Sequence, residues 1–220
     1  VKFNDLTLQI YKIKDLINEN IETVLESNAF IKGNFVKQFE DNFKKYSNVK
    51  HAIGVSNGTD ALLIAMESLK STGDVLVQPT TYVASASMIP RIGNEVKFID
   101  VNRDTWQIST ENISDKITKN TVGLIGVHLY GFPFDVENIF NFLDQKNIWM
   151  IEDSAQSHGA KINGKNTGTF GQIATYSFFP GKNLGAFGDA GAITTDDDEL
   201  AILCRKLADG GRLSKYEHEI

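Results

Sequence analysis

Seven short apolar runs recur between residues 51 and 195, and segments of helical or turn-rich spacing separate them. The runs are 51–55 (HAIGV), 74–78 (DVLVQ), 95–99 (EVKFI), 121–127 (TVGLIGV), 148–152 (IWMIE), 173–178 (IATYSF) and 190–195 (AGAITT). Several are apolar almost throughout rather than alternating, which is how strands covered on both faces read. Helical spacing fits 59–70, 82–90, 111–118, 135–145 and 197–208. Alternation of this kind predicts an α/β layer fold with a mostly parallel sheet. Ahead of it, Ile10, Ile13, Leu16, Ile17, Ile21, Val24 and Leu25 recur at helical spacing over 10–26. A turn-like stretch, 27–34, follows, and Val36–Tyr46 reads as a second helix.

Parallel sheets place ligands beyond the carboxyl ends of their strands. Three polar clusters fall there: Ser56–Asp60, Asp153–His158 and Ser177–Lys182. The first joins a strand to a helix starting near Thr59. Its free backbone N–H groups, Gly58 and the Thr59 hydroxyl suit a phosphate. An ordinary N-cap with a tight turn fits the same residues. The sequence lacks the Gly-rich run and Gly-Lys-Ser/Thr of a nucleotide P-loop.

Asp153 follows the apolar run 148–152. A carboxylate there is desolvated and needs a positive or protonated partner. A pyridinium nitrogen is one such partner, and a structural cap is the plainer role. Lys182 follows Phe178, Phe179, Pro180 and Gly181. An amine in so apolar a setting can lose its proton and act as a nucleophile, whereas a surface lysine would snorkel out. Tyr82 could stack on a flat ring, although aromatics mostly fill cores. His51, His128 and His158 have no metal-ligand spacing, so no metal is expected. Glu152 and Asp153 point apart on a strand and make a poor glycosidase pair. Ser56 and Ser177 lack a GxSxG elbow.

Composition narrows the classes. With 22 Lys and Arg against 28 Asp and Glu, the net charge is −6. That gives no support to a nucleic-acid surface. Cys204 is the single cysteine, so no intrachain disulfide can form. No stretch approaches a membrane span. Val1–Asp5 lacks the pattern of a secretory signal, and a cytoplasmic location is the expectation.

Four motifs, in order and spacing, carry a resemblance: His51–Leu62, Gln78–Ser85, Glu152–Ala160 and Ser177–Gly185. Together they make the chain similar to the DegT/DnrJ/EryC1/StrS family of nucleotide-sugar aminotransferases, which use pyridoxal 5'-phosphate. The resemblance implies the large domain of fold type I: a mostly parallel seven-stranded sheet between helices, three layers α/β/α. Residues 1–46 would be a helical segment packed on that domain, and 47–220 the cofactor-binding domain itself. The smaller C-terminal domain of the family would be missing. So would an asparagine that a partner subunit lends to the phosphate site, beyond a stretch like Tyr216–Ile220. A truncated chain is the expectation.

The resemblance also assigns roles by position. Lys182 would hold the cofactor covalently and move protons. Asp153 would pair with the pyridine nitrogen and Gln156 would contact O3′. Gly58, Thr59 and Ser177 would hold the phosphate, and Tyr82 would stack on the ring. The implied reaction moves an amino group from L-glutamate to a keto group of a nucleotide-linked deoxysugar, dTDP-3-oxo-6-deoxyhexose first among them. Deoxyamino-sugar and lipopolysaccharide or O-antigen biosynthesis, and a homodimer sharing its sites, belong to the same expectation. The alternatives are a UDP-linked 3-keto or a 4-keto sugar, a pyridoxal-phosphate sugar dehydratase, a non-catalytic regulatory or interaction protein, and an unrelated α/β hydrolase or nucleotide-binding protein. In the dehydratases a histidine replaces the lysine, so Lys182 argues against that reading.

Overall fold

The computed structural model describes residues 4–214, 217 and 218, with side chains to residue 212. Most of Tyr216–Ile220 therefore lies outside the described residues. All seven apolar runs are strands of one sheet. In chain order they are β1 (His51–Val55), β2 (Asp74–Val77), β3 (Glu95–Phe98), β4 (Thr121–Val127) and β5 (Trp149–Asp153). A small hairpin, β6 (Lys161–Ile162) with β7 (Lys165–Asn166), comes next, then β8 (Ile173–Ser177) and β9 (Gly191–Thr195). The sheet order is β1-β9-β8-β5-β4-β2-β3. β9 runs antiparallel to both neighbours, and the remaining pairings are parallel. That reversal has a consequence for Lys182. The segment between β8 and β9 turns back at the carboxyl end of β8 and holds Lys182 at the ligand edge of the sheet.

Among the described residues, seven α-helices accompany the sheet: α1 (Thr7–Ser27), α2 (Asn34–Ser47), α3 (Gly58–Ser68), α4 (Ala84–Ser87), α5 (Thr110–Ser114), α6 (Val136–Asp144) and α7 (Asp198–Leu207). Two are shorter than their spacing suggested. The 82–90 pattern gives four residues of α4 and then a 3₁₀ turn opened by Pro90, whose missing N–H suits a helix start rather than an interior. The 111–118 pattern stops at Ser114, and beyond it the Thr118 N–H bonds Thr121 Oγ1 in the turn that feeds β4. The β6–β7 hairpin was not legible in the sequence.

Side-chain parity explains why the runs are apolar throughout. Val75, Val77, Ile125, Val127, Trp149 and Ile151 face one layer with Ala61, Leu62 and Met66 of α3. Leu76, Leu124 and Met150 face the other, against Ile113 of α5 and Ile139 and Leu143 of α6. The same second face continues under α2, where Phe43 packs on Ala52, Ala174, Tyr176, Phe178 and Ala192. Both faces are thus covered, as the composition of the strands required. The N-terminal segment divides into two behaviours. α2 buries Phe43 and Ser47 against the sheet, whereas α1 has no buried residue. Leu8, Tyr11, Leu16 and Leu25 of α1 are all more than half exposed.

Candidate active site

Strand parity also separates the two acids at the end of β5. Asp153 shares its face with Trp149 and Ile151, toward α3 and α4. Glu152 shares its face with Met150. Both are buried. The Glu152 carboxylate accepts the N–H groups of Gly168, Phe170 and Gly171, each at 2.7 Å, and lies 2.9 Å from His128 Nε2. Burial alone would raise its pKa. Together the contacts to His128, Gly171 and Gly168 outweigh burial, and the net shift is downward. Its bonding capacity is spent inside the protein.

Asp153 faces the other way, into a cleft of about 500 Å³. Its Oδ2 accepts from Ser85 Oγ at 2.7 Å and its Oδ1 from the Ala155 N–H at 3.1 Å. Burial pushes its pKa up, against the pull of Ser85, Ala155, Lys182 and His128. Lys182 lines the same cleft, half-buried. Burial lowers the pKa of its amine, and Asp153 opposes that shift. One acid and one base therefore share a cleft in which desolvation favours the neutral form of each.

The cleft's floor is the start of α3. Asn57 caps it, accepting the Asp60 N–H at 2.8 Å through its side chain. The first backbone bond of the helix runs from Ala61 N to Asn57 O. Gly58 and Thr59 precede that bond, so their N–H groups belong to the unpaired first turn. Gly58 must be glycine here, since a Cβ would stand 2.7 Å from Ser177 Cβ. The close approach sets the helix tip against the Ser177 hydroxyl, a cradle suited to an anion. Asp60 also lines the cleft, and its carboxylate accepts from Ser56 Oγ and Asn57 Nδ2.

The walls are Tyr82, Ala155 and Gln156, with Thr81 and Phe179 beside them. Tyr82 is 69% exposed and offers its ring rather than packing it in a core. Gln156 Oε1 accepts the Tyr130 N–H at 2.7 Å, which leaves its amide NH₂ to donate to a ligand oxygen. Tyr130 adopts a left-handed backbone (φ 54°) to make that contact.

Gly58, Thr59, Tyr82, Asp153, Gln156, Ser177 and Lys182, all singled out from sequence, thus line one cleft. Asn57, Thr81, Ser85 and Asp189 were not assigned roles. Thr81 and Ser85 carried one legible signal, two hydroxyls spaced four apart. Among the described residues no helix is long and apolar enough to cross a membrane.

The decisive comparison is with a family model: residues 11–220 match the DegT/DnrJ/EryC1/StrS aminotransferase family. The chain belongs to that family. It is 41% identical to a pleiotropic regulatory protein of Geobacillus stearothermophilus, over 98% of this chain and 59% of the relative. It is 37% identical to a UDP-N-acetyl-3-dehydro-alpha-D-glucosamine 3-aminotransferase of Acidithiobacillus ferrooxidans, over the same shares. The crystal structure of S. venezuelae DesV in complex with a ketimine intermediate superposes with a TM-score of 0.95 at 36% identity, over 100% of this chain and 60% of that one. The chain therefore spans about three fifths of the length of these relatives. The strand pattern implied a mostly parallel α/β sheet, and the resemblance implied the family's fold; both are found.

Proposed function

We propose that this chain carries the cofactor site of a pyridoxal-phosphate aminotransferase that moves an amino group from L-glutamate to a keto group of a nucleotide-linked deoxysugar. The observation that carries the reading is the convergence of Asp153, Lys182 and the α3 tip on one cleft. A flat, phosphorylated pyridine aldehyde matches that donor set: an amine for the aldehyde, a carboxylate for the ring nitrogen and an anion cradle for the phosphate. Residues 47–220 form the cofactor-binding domain in this reading, with 1–46 flanking it.

Bound pyridoxal phosphate supplies an electron sink for charge developing beside the amine being transferred. The chain's own residues do the rest. Lys182 would hold the cofactor through its amine and would serve as the base and acid that moves a proton at the donor α-carbon. Burial lowers the pKa of its amine and so favours the neutral form that can accept that proton. Asp153 keeps a proton on the ring nitrogen. The Gln156 amide donates to O3′. Gly58 and Thr59 N–H groups and the Ser177 hydroxyl grip the phosphate, and Tyr82 covers the ring. Two half-reactions through one site give ping-pong kinetics.

The 3-keto position and a dTDP nucleotide are our first substrate assignment, from the form of residues 178–191. A UDP-linked 3-keto sugar is the second, favoured by the name of the Acidithiobacillus relative. A homodimer belongs to the same proposal, since exposed Tyr82 and Phe179 leave apolar rings on the cleft for a second copy to cover. A cytoplasmic location completes it. The test incubates the full-length protein with glutamate and a panel of dTDP- and UDP-keto-sugars, and identifies any aminated product by mass and NMR. Amination of a 3-keto sugar is the expected result. If none is aminated while borohydride still fixes pyridoxal phosphate on Lys182, the sugar assignment fails and the cofactor reading stands. In that case the regulatory role named for the Geobacillus relative becomes the better account.

A further inference from the structure

We propose that Ser85 is the positioning residue for Asp153, and that Thr81 and Ser85 form a reversible two-hydroxyl chain holding the carboxyl in one orientation in both of its protonation states. This deepens the function proposed above and rests on Asp153 facing the ring nitrogen.

Ser85 has no exposed surface and does not line the cleft. It stands behind Asp153, on α4, with its Oγ 2.7 Å from Oδ2. Thr81 Oγ1 is 2.8 Å from the same Ser85 oxygen, and Thr81 does line the cleft. The Ser85 N–H bonds the Tyr82 carbonyl, so a turn of backbone stacks the two hydroxyls four residues apart. The chain therefore runs from the cleft wall, through a sealed hydroxyl, to the back of the acid.

Each hydroxyl has one proton and room to accept. With Asp153 ionised, Ser85 donates to Oδ2 and accepts from Thr81. With Asp153 protonated on Oδ2, the acid donates to Ser85, which donates to Thr81. Reversing both bonds moves no heavy atom and leaves no buried polar group unpaired, an omission that would be costly. Meanwhile the Ala155 N–H holds Oδ1. The carboxyl is thus fixed from two sides while its proton remains free to come and go. The charged or titratable groups acting on Asp153 are Lys182, beyond β8, and His128, at the end of β4. Ser85 and Ala155 are its neutral donors, and Ser85 is the one that a side-chain substitution removes.

The test follows Asp153 itself by carbon-13 NMR titration of its carboxyl in the full-length protein before pyridoxal phosphate is added. A second arm measures the dissociation constant of pyridoxal phosphate and the pH midpoint of its visible band. Ser85→Ala should raise the Asp153 midpoint by about one pH unit and weaken pyridoxal phosphate about tenfold, the scale of one hydrogen bond to a charged group. Thr81→Val should move both in the same direction by less. Thr81→Ser, which keeps the hydroxyl, should restore the parental values. A purely structural role would lower thermal stability without ordering the midpoints in this way. If Ser85→Ala does not fold, the Thr81→Val and Thr81→Ser pair decides the matter. Unchanged Asp153 midpoints in folded variants would overturn the proposal. A shifted Asp153 midpoint with no binding of pyridoxal phosphate by any variant would instead overturn the cofactor reading and leave the hydroxyl chain in place.

Discussion

Glu152 and Asp153 are neighbours on one strand, both buried, yet the regions around them are built for opposite ends. Around Glu152, three backbone N–H groups and His128 satisfy the carboxylate and tie down the loop at 168–171. Phe134 seals that region, stacked on His128 at 4.5 Å between ring centres. Around Asp153, burial wins over its hydrogen bonds, and the acid faces a cleft that it shares with Lys182. A buried acid whose bonds are complete serves the fold. One left partly unsatisfied beside a desolvated amine is available for chemistry. The difference comes from strand parity alone, since consecutive residues face opposite layers.

The comparison can be broken from either side. The largest effect should come from the cleft. Lys182→Ala should abolish the borohydride-fixed adduct and cut transamination by about 10³-fold or more, with little change in thermal stability. An adduct that persists would show that another lysine carries the cofactor.

Next comes the anchor. Glu152→Ala leaves His128 and three N–H groups without their acceptor and should cost about 3–5 kcal/mol of stability, read by denaturant titration. Wild-type stability at Glu152 would mean that the network is not an anchor. The two acids should also differ in the sign of their pH dependence. Glu152 has a lowered folded pKa, so its contribution is present above the unfolded value of about 4.5 and is lost as pH falls through the folded one. Asp153 has a raised folded pKa, so its contribution is present below about 3.8 and is lost as pH rises through the folded value. Stability measured against pH for Glu152→Gln and Asp153→Asn should therefore lose opposite slopes. Matching slopes would erase the distinction between the regions.

Asp153→Asn should cost about 10²–10³-fold in turnover, the usual scale for removing one preorganised electrostatic partner. Its stability should change far less than that of Glu152→Ala, and a larger loss would move Asp153 to the structural side. The smallest effect is expected at the cleft's floor. Asn57→Ala removes the α3 cap and should cost about 1 kcal/mol, with weaker phosphate binding measured by pyridoxal phosphate titration. A stability change without a binding change would separate the cap from the cradle.

Much of this was legible beforehand because it is local. Apolar runs covered on both faces marked the seven strands. Asp153 and Lys182 were placed by following such runs, Ser177 by lying near the end of one, and Gly58 and Thr59 by opening a helix. Ser85 was unreadable as a partner of Asp153, since 68 residues separate them. The Glu152 anchor depends on backbone N–H groups of Gly168, Phe170 and Gly171, which carry no side-chain signal. The exposure of α1 was likewise unreadable, because its periodic apolar residues look the same whether or not a surface lies beside them.

By itself the sequence determined the layers, the strand runs and the chemical types gathered at the carboxyl edge, since propensity and periodicity are properties of neighbouring residues. Only the tertiary structure decided the order β1-β9-β8-β5-β4-β2-β3, the reversal that keeps Lys182 beside Asp153, and the hydroxyls behind that acid. These depend on contacts between residues far apart in the chain, and such contacts exist only once both faces of the sheet have been covered.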